Sequence, residues 1–201
     1  MKPEVKSETV IAETQFLTFK KLHYKNKNGE DASWDCVSRK NSPGIVMIVP
    51  FHEDFERIVI IKEFRVPIND YEYGFPAGII EEGETIEEAA SRELKEETGL
   101  TVEEVYKVTP PLYSSTGLTD EAVHVVYVRC SGHPSISGLE DSEDIIPRIY
   151  NKSEVKNMLN SNIVKFGAKA YLILSAWTGN AIVSFNMFSL WFIKYVYFLL
   201  Q

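Results

Sequence analysis

The chain has 201 residues and carries 21 Lys and Arg against 29 Asp and Glu, a formal net charge of −8. That length supports one domain with a substantial core, or one domain and an appendage, and 44% hydrophobic with 25% charged residues excludes a disordered chain. The acidic balance excludes a broad basic surface for nucleic acid, and two cysteines, Cys36 and Cys130, cannot make a disulfide framework or a four-ligand zinc site, so a reducing, cytoplasmic setting is expected.

The opening MKPEVKSETV is charged and lacks the apolar core of a signal peptide. From Thr9 to Arg39 the pattern is extended: Phe16, Leu17 and Phe19 precede a polar turn at Asn26 to Gly29, and Trp34 to Val37 follow it, as in a hairpin with a long loop. After the breaker Ser42-Pro43-Gly44, the apolar runs Ile45 to Val49 and Ile58 to Ile61 read as a buried strand pair. Pro67 and Pro76 bracket a loop. Thr85 to Thr98 is then a helix, rich in Ala, Glu, Leu and Lys, opened by Thr85 three residues before Glu88 and stopped by Gly99. Val102 to Val108, Ala122 to Val128 and Ile145 to Tyr150 are expected strands, and Ser153 to Leu159 and Phe166 to Trp177 expected helices. Strands outnumber helices without alternating strictly with them, which predicts an α+β sandwich and not a doubly wound sheet.

The pattern divides the chain into an N-terminal strand and hairpin region at 1–43, a central domain at 44–177 and an apolar tail at 178–201. Ala181 to Leu200 is almost wholly apolar and aromatic, and its length approaches what spans a bilayer. Lys194 lies inside it and no basic cluster flanks it, so a helix packed on the domain or in a dimer interface is the favoured reading over a membrane anchor. An unnatural extension of the reading frame also fits, because the domain ends sensibly near Trp177.

The sharpest chemical signal is Gly78-Ile-Ile-Glu-Glu-Gly-Glu84 followed by Arg92-Glu93-Leu94-Lys95-Glu96-Glu97-Thr98-Gly99-Leu100. On a helix Glu93, Glu96 and Glu97 are spaced by three and four residues and project from one face. Three like charges there repel unless something positive lies among them, and a hard divalent cation with oxygen ligands, Mg²⁺ or Mn²⁺, would serve. A solvated acidic face is the plain alternative. Against it stand the glycine-punctuated loop, which brings backbone carbonyls to the helix N-terminal end, and Arg92, placed to orient the carboxylates.

This stretch resembles the Nudix box: Gly, five residues, Glu, seven residues, Arg-Glu, an aliphatic, any residue, Glu-Glu, any residue, Gly, an aliphatic. All nine fixed positions are filled, by Gly78, Glu84, Arg92, Glu93, Leu94, Glu96, Glu97, Gly99 and Leu100. The resemblance implies the Nudix α/β/α sandwich with a mixed sheet, here extended by the N-terminal β-hairpin. It also implies hydrolysis of a nucleoside diphosphate linked to another moiety. Glu93, Glu96 and Glu97 would then bind metal, with Glu84 in support and the Ala77 carbonyl as a further ligand. Bound ions would neutralise pyrophosphate oxygens and lower the pKa of a water, with no need of a protein nucleophile.

Outside the box, residues 9–177 are similar to the ADP-ribose and ADP-sugar pyrophosphatase branch of that family. Glu63-Phe64-Arg65-Val66-Pro67 and then Phe75-Pro76-Ala77-Gly78 follow its order, which implies that Arg65 reaches the pyrophosphate, where a guanidinium bonds two oxygens at once. The hairpin implies Phe16 and Trp34 as the two faces of an adenine sandwich, contributed by two subunits of a homodimer with exchanged N-terminal strands. Arg39 is a further substrate candidate.

Ser114-Ser115-Thr116-Gly117-Leu118-Thr119-Asp120-Glu121 matches the branch's substrate loop, keeping Glu121 but placing Thr116 where a proline is usual. Gly138-Leu139-Glu140-Asp141-Ser142-Glu143-Asp144-Ile145 resembles its late acidic loop. That implies Glu143 as a retained acid and metal ligand, with Asp141 or Glu140 as general base. Gly74 stands where the branch commonly has a glutamate. These departures leave room for a nucleoside triphosphate or dinucleoside polyphosphate as substrate. A non-catalytic ligand sensor is the remaining alternative, and the intact glutamates argue against it.

Overall fold

The computed structural model describes residues 1–40 and 42–179, so the apolar segment from Ala181 to Leu200, with both the anchor and the packed-helix readings of it, lies outside the described residues. Among the described residues no helix is long and apolar enough to cross a membrane.

Two sheets are present. In the first, β1 (Glu4–Glu13), β2 (Leu17–Lys25) and β3 (Asp31–Arg39) form an antiparallel meander in that order. The β2–β3 turn is polar, as expected: Asn26 Oδ1 accepts from the backbone N–H groups of Asn28 and Glu30, and Gly29 takes φ 84°. The second sheet is mixed and eight-stranded, with the path β11 (Ile145–Asn151), β5 (Arg57–Arg65), β4 (Ile45–His52), β10 (Ala122–Ser131) and β8 (Thr101–Val108). Three short strands complete it: β6 (Asp70–Gly74) pairs with β5, β7 (Ala77–Ile79) with β4, and β9 (Leu112–Tyr113) with β10.

Strand alternation sorts the core into two layers. Val46 and Ile48 of β4, Val59 of β5, and Val126, Val128 and Cys130 of β10 face α1 (Ile86–Thr98), where they meet Ala89, Ala90 and Leu94. Met47, Val49 and Phe51, then Ile58 and Ile60, and Val123 and Val125 face the other way. They pack against Val155 and Leu159 of α2 (Lys152–Leu159) and Ala170 and Leu174 of α3 (Ala168–Trp177). A sheet buried on both faces between helices is the expected α/β/α sandwich, and its continuous apolar strands are the sequence trace of that double burial.

The helix termini follow their local chemistry. Thr85 caps α1 through its side chain while Glu88 returns a carboxylate to the Thr85 N–H. Gly99 closes α1 in the left-handed region at φ 72°, and a Cβ there would also lie 2.7 Å from Ser135 Cβ, so two constraints demand glycine. Asn151 and Glu154 cap α2 in the same reciprocal way.

Two expectations need correction. The segment between Pro67 and Pro76 is not only loop: a 3₁₀ turn at Val66–Ile68 and left-handed Asn69 (φ 48°) fold β6 back on β5, and Tyr71 and Tyr73 supply the strand character. The second C-terminal helix begins at Ala168 and not at Phe166, because Tyr73 donates its N–H to the Lys165 carbonyl and accepts from Gly167, holding 165–167 extended along β6. The expected buried strand pair is present, β4 meeting β5 in antiparallel fashion at Phe51 and Ile58, while the longer pairing of β4 is with β10, in parallel over eight residues. A partner 78 residues away in sequence, as Val123 is from Ile45, leaves no local mark.

Candidate active site

Arg92 organises the carboxylates of α1. Its Nε and Nη2 donate to the two oxygens of Glu84 at 2.9 Å each, and its Nη1 donates to Glu93 at 2.8 Å and Glu96 at 3.1 Å. Nη2 also reaches the Ile79 carbonyl at 3.0 Å, which ties the helix to β7. A planar guanidinium with a fixed fork of donors suits this four-way contact as an ammonium could not. Held between these acids, Arg92 is driven further into its charged form, and Glu84 is held below the usual carboxylate range chiefly by its bonds from Arg92.

Glu97 is the buried member of the set, 4% exposed. Its Oε2 accepts from the Ala77 N–H at 3.3 Å. Burial pushes its carboxyl up to about 9, and the neighbouring charges of Glu63 and Glu93 push in the same direction. Burial also raises Glu93, offset in part by Arg92, and raises Glu63, offset in part by Arg65. Glu143 adds negative charge to Glu63, Glu93 and Glu97 alike, so the late loop delivers a carboxylate to the same place.

The floor of this place is glycine. A Cβ at Gly78 would fall 1.9 Å from the Glu93 carboxyl carbon, and one at Gly138 would fall 2.8 Å from the Glu96 carbonyl oxygen. The two glycines let β7 and the acidic loop close on the helix. The result is a cleft of about 480 Å³ lined by Ala77, Gly78, Arg92, Glu93, Glu96, Glu140 and Glu143 among others. A second cleft, about 250 Å³, meets the first at Ala77 and is lined by Glu63, Arg65, Glu72, Gly74, Ser114, Glu121 and Lys169 over a floor that includes Met47, Phe75 and Val123.

The donor set suits a hard divalent cation: several carboxylates and a backbone carbonyl, with negative charge in excess of the cation, Arg92, that lies among them. As placed, no three His, Cys, Asp or Glu side chains among the described residues form a ready-made cage. The bonds above give the reason: Glu93 and Glu96 are turned to Arg92, and Glu97 to Ala77.

The expected residues therefore separate. Arg92, Glu93, Glu96, Glu97, Ala77, Glu140 and Glu143 converge on the first site, and Arg65 and Glu121 line the second cleft. Arg65 is bonded to Glu63. Arg39 does not line that cleft but reaches it through Glu121, at 3.3 Å. Asp141 is exposed and does not line the clefts described here. Trp34 lies on β3 and Phe16 in the bend between β1 and β2, 53% and 63% exposed, and the two rings do not stack on one another within the chain. Trp34 donates its indole N–H to the Gly117 carbonyl at 3.1 Å, and Ser38 donates to Asp120 at 2.7 Å, so β3 is moored along the 117–121 loop.

Three carboxylates that line the clefts were not singled out from the sequence, Glu63, Glu72 and, beside the motif helix, Glu81. Glu63 lies two residues before Arg65 on β5, and strand alternation could have placed the two on one face. Glu72 lies on β6, in the segment read as loop.

Comparison with known proteins agrees with this geometry. The NUDIX domain model matches residues 41–163. A mouse ADP-sugar pyrophosphatase is 37% identical over 187 residues, covering 86% of this chain and 82% of the relative. A Saccharomyces cerevisiae ADP-ribose pyrophosphatase is 30% identical over 147 residues, covering 67% of this chain and 63% of the relative. Among solved structures, an ADP compounds hydrolase superposes with a TM-score of 0.70 at 22% identity, covering 91% of this chain and 98% of its own, a likeness of fold. With a complete motif, a carboxylate cluster behind it whose member Glu97 is buried, and relatives matched over most of their length, the chain belongs to the NUDIX family and is a Nudix hydrolase.

Proposed function

We propose that the protein hydrolyses the pyrophosphate bond of ADP-ribose or a related ADP-sugar to AMP and a sugar phosphate, with Mg²⁺ or Mn²⁺ as cofactor. The observation that carries this reading is the meeting of two unlike clefts at Ala77: one walled by the carboxylates of α1, the other by Arg65, Glu121 and an apolar floor. A nucleoside diphosphate sugar has that division, with a charged centre and ring systems on either side. The names of the mouse and yeast relatives point to the same substrate class.

Glu93, Glu96, Glu97, Glu143 and the Ala77 carbonyl would hold the ion, which supplies charge neutralisation at the pyrophosphate and an acidified water. Around it, each residue has a separate task. Arg92 fixes the direction of Glu93 and Glu96 and, through Glu84 and the Ile79 carbonyl, locks the helix to the loop before it. Arg65 bonds phosphate oxygens with the donors that Glu63 leaves free. Water attacks phosphorus, the bridging P–O bond breaks, and the water's proton passes to a carboxylate. Glu140 borders the cleft and Asp141 does not, so Glu140 is the better placed acceptor.

The N-terminal sheet is proposed to receive adenine and to pair with a second copy of the chain. Val5, Val10, Ile11 and Trp34 on it, and Phe16 in the β1–β2 bend, are all about half exposed or more, an apolar surface that a homodimer would cover and that would bring Phe16 of one copy toward Trp34 of the other. Gly74 lines the second cleft without a side chain.

The test is turnover of a panel of nucleoside diphosphate sugars, dinucleotides and nucleoside triphosphates with Mg²⁺, products resolved by chromatography. AMP and ribose 5-phosphate from ADP-ribose, abolished by chelator, is the expected result. Preference for a triphosphate would move the specificity, and no turnover of any member would turn the reading toward a ligand sensor.

A further inference from the structure

Lys169, in the first turn of α3, lines the substrate cleft together with Arg65, Glu63, Glu72 and Glu121. The other cation there is already matched, Arg65 with Glu63, and Glu121 is matched with Arg39, while Glu72 makes no ion pair among the described residues. Lys169 differs. Its ammonium donates to the neutral Ser114 Oγ at 2.9 Å, and no ion pair is recorded for it among the described residues. An ammonium has three donors, so two remain for a ligand, and a half-buried cation gains most from an anionic acceptor.

The position of this cation is fixed from both sides. At its root, Gly167 bonds Tyr73, and Ala170, the next residue, is 2% exposed in the core. A Cβ at Gly167 would lie 2.8 Å from Glu72 Oε1, so glycine there lets α3 approach β6 and brings Lys169 to the cleft. At its tip, Ser114 belongs to the loop that also carries Glu121, and its N–H bonds the Glu121 carbonyl at 3.3 Å. The charge is thus held in place before any ligand arrives.

We infer that Lys169 is a substrate-contacting residue that binds a phosphate oxygen of the nucleoside diphosphate from the α3 side of the cleft, complementing Arg65 on β5. This rests on the substrate class proposed above. Lys169 lies outside the glutamate motif and outside the residues that the NUDIX domain model matches, 41–163.

The experiment compares the full chain with Lys169→Met, Lys169→Gln and Lys169→Arg in ADP-ribose hydrolysis and, separately, in equilibrium binding of ADP. The Gln variant keeps a donor for Ser114, so it separates loss of charge from loss of the link between α3 and the loop. Expected are a KM raised about tenfold in both Met and Gln variants, kcat within about threefold, substantial recovery in the Arg variant, and a parallel loss of ADP affinity. A KM within about twofold of wild type in Met and Gln, or a fall in kcat at unchanged KM, overturns the assignment while leaving the proposed function intact. If the wild type turns over no ADP-ribose, that function falls and ADP binding alone decides: an affinity insensitive to Lys169, or no binding by wild type, overturns the lysine as well.

Discussion

Gly78 lies directly against the Glu93 carboxylate, so closely that a Cβ at position 78 would sit 1.9 Å from the carboxyl carbon. The atoms in the way are the far end of a flexible side chain, and Gly78 is not among the glycines with positive φ, so Gly78→Ala displaces the carboxylate without straining the backbone. The expected outcome is a kcat reduced about a hundredfold with a melting temperature changed by only about 2 °C. Steady-state kinetics beside thermal denaturation checks it; full activity would show that the position of Glu93 is immaterial.

Arg92 makes contacts with Glu84, Glu93, Glu96 and Ile79 that depend on its fork of donors. Arg92→Lys keeps the charge and loses the geometry, so it is expected to retain under about a tenth of wild-type kcat and to cost about 2 kcal/mol of stability. Chemical denaturation and turnover report the two effects independently. A lysine variant equal to wild type in both would reduce Arg92 to a point charge.

In the metal-free protein Glu97 titrates at about 9, raised first by burial and then by Glu63 and Glu93. Its folded value lies above the ordinary 4.5, so the folded state keeps a proton that the unfolded state releases. Stability is therefore fully present below the unfolded value and is lost as pH rises toward the folded one. Chelated protein should melt at progressively lower temperature from about pH 5 to about pH 9. Glu97→Gln should flatten that slope, and Mg²⁺ should offset it in wild type by binding the ionised carboxylates. Calorimetry across this range is the measurement; a slope untouched by Glu97→Gln would assign the loss to other groups.

Trp34 is held by a single bond to Gly117 and is half exposed, which suits a surface waiting for a base better than a core residue. Trp34→Ala should raise KM for ADP-ribose about tenfold with kcat little changed, and Phe16→Ala should act in the same direction if two copies share the base. Light scattering supplies the companion test, with a dimer expected for the full chain. A monomer with wild-type KM in both variants would remove the N-terminal sheet from substrate binding.

Cys130 is fully buried on β10, and burial pushes its thiol up to about 12. It should resist alkylation in the native state at neutral pH and react on unfolding. Mass spectrometry of the labelled protein distinguishes the two.

The primary sequence determined a great deal here, because the determinants are local. Thr85, Glu88 and Gly99 start and stop α1 within one stretch, and the spacing of Glu93, Glu96 and Glu97 puts them on one helix and one side. The continuous apolar runs of β4 and β5 marked a buried strand pair, and the nine fixed residues of the motif pointed to the family and its layered fold. What only the tertiary structure decided depends on neighbours far apart in the chain. The parallel pairing of β4 with β10 has no sequence signature, nor does the return of β6 along β5, which brings Glu72 to the cleft. Burial, and after it the charges of Glu63, Glu93 and Glu143, raises the Glu97 carboxyl that the sequence alone would leave ordinary, since burial and charge are properties of the assembled site. Lys169 is the plainest case. In sequence it is one lysine in an apolar helix, and only the packing of α3 against β6 and the 114–121 loop sets its charge in the cleft beside Arg65.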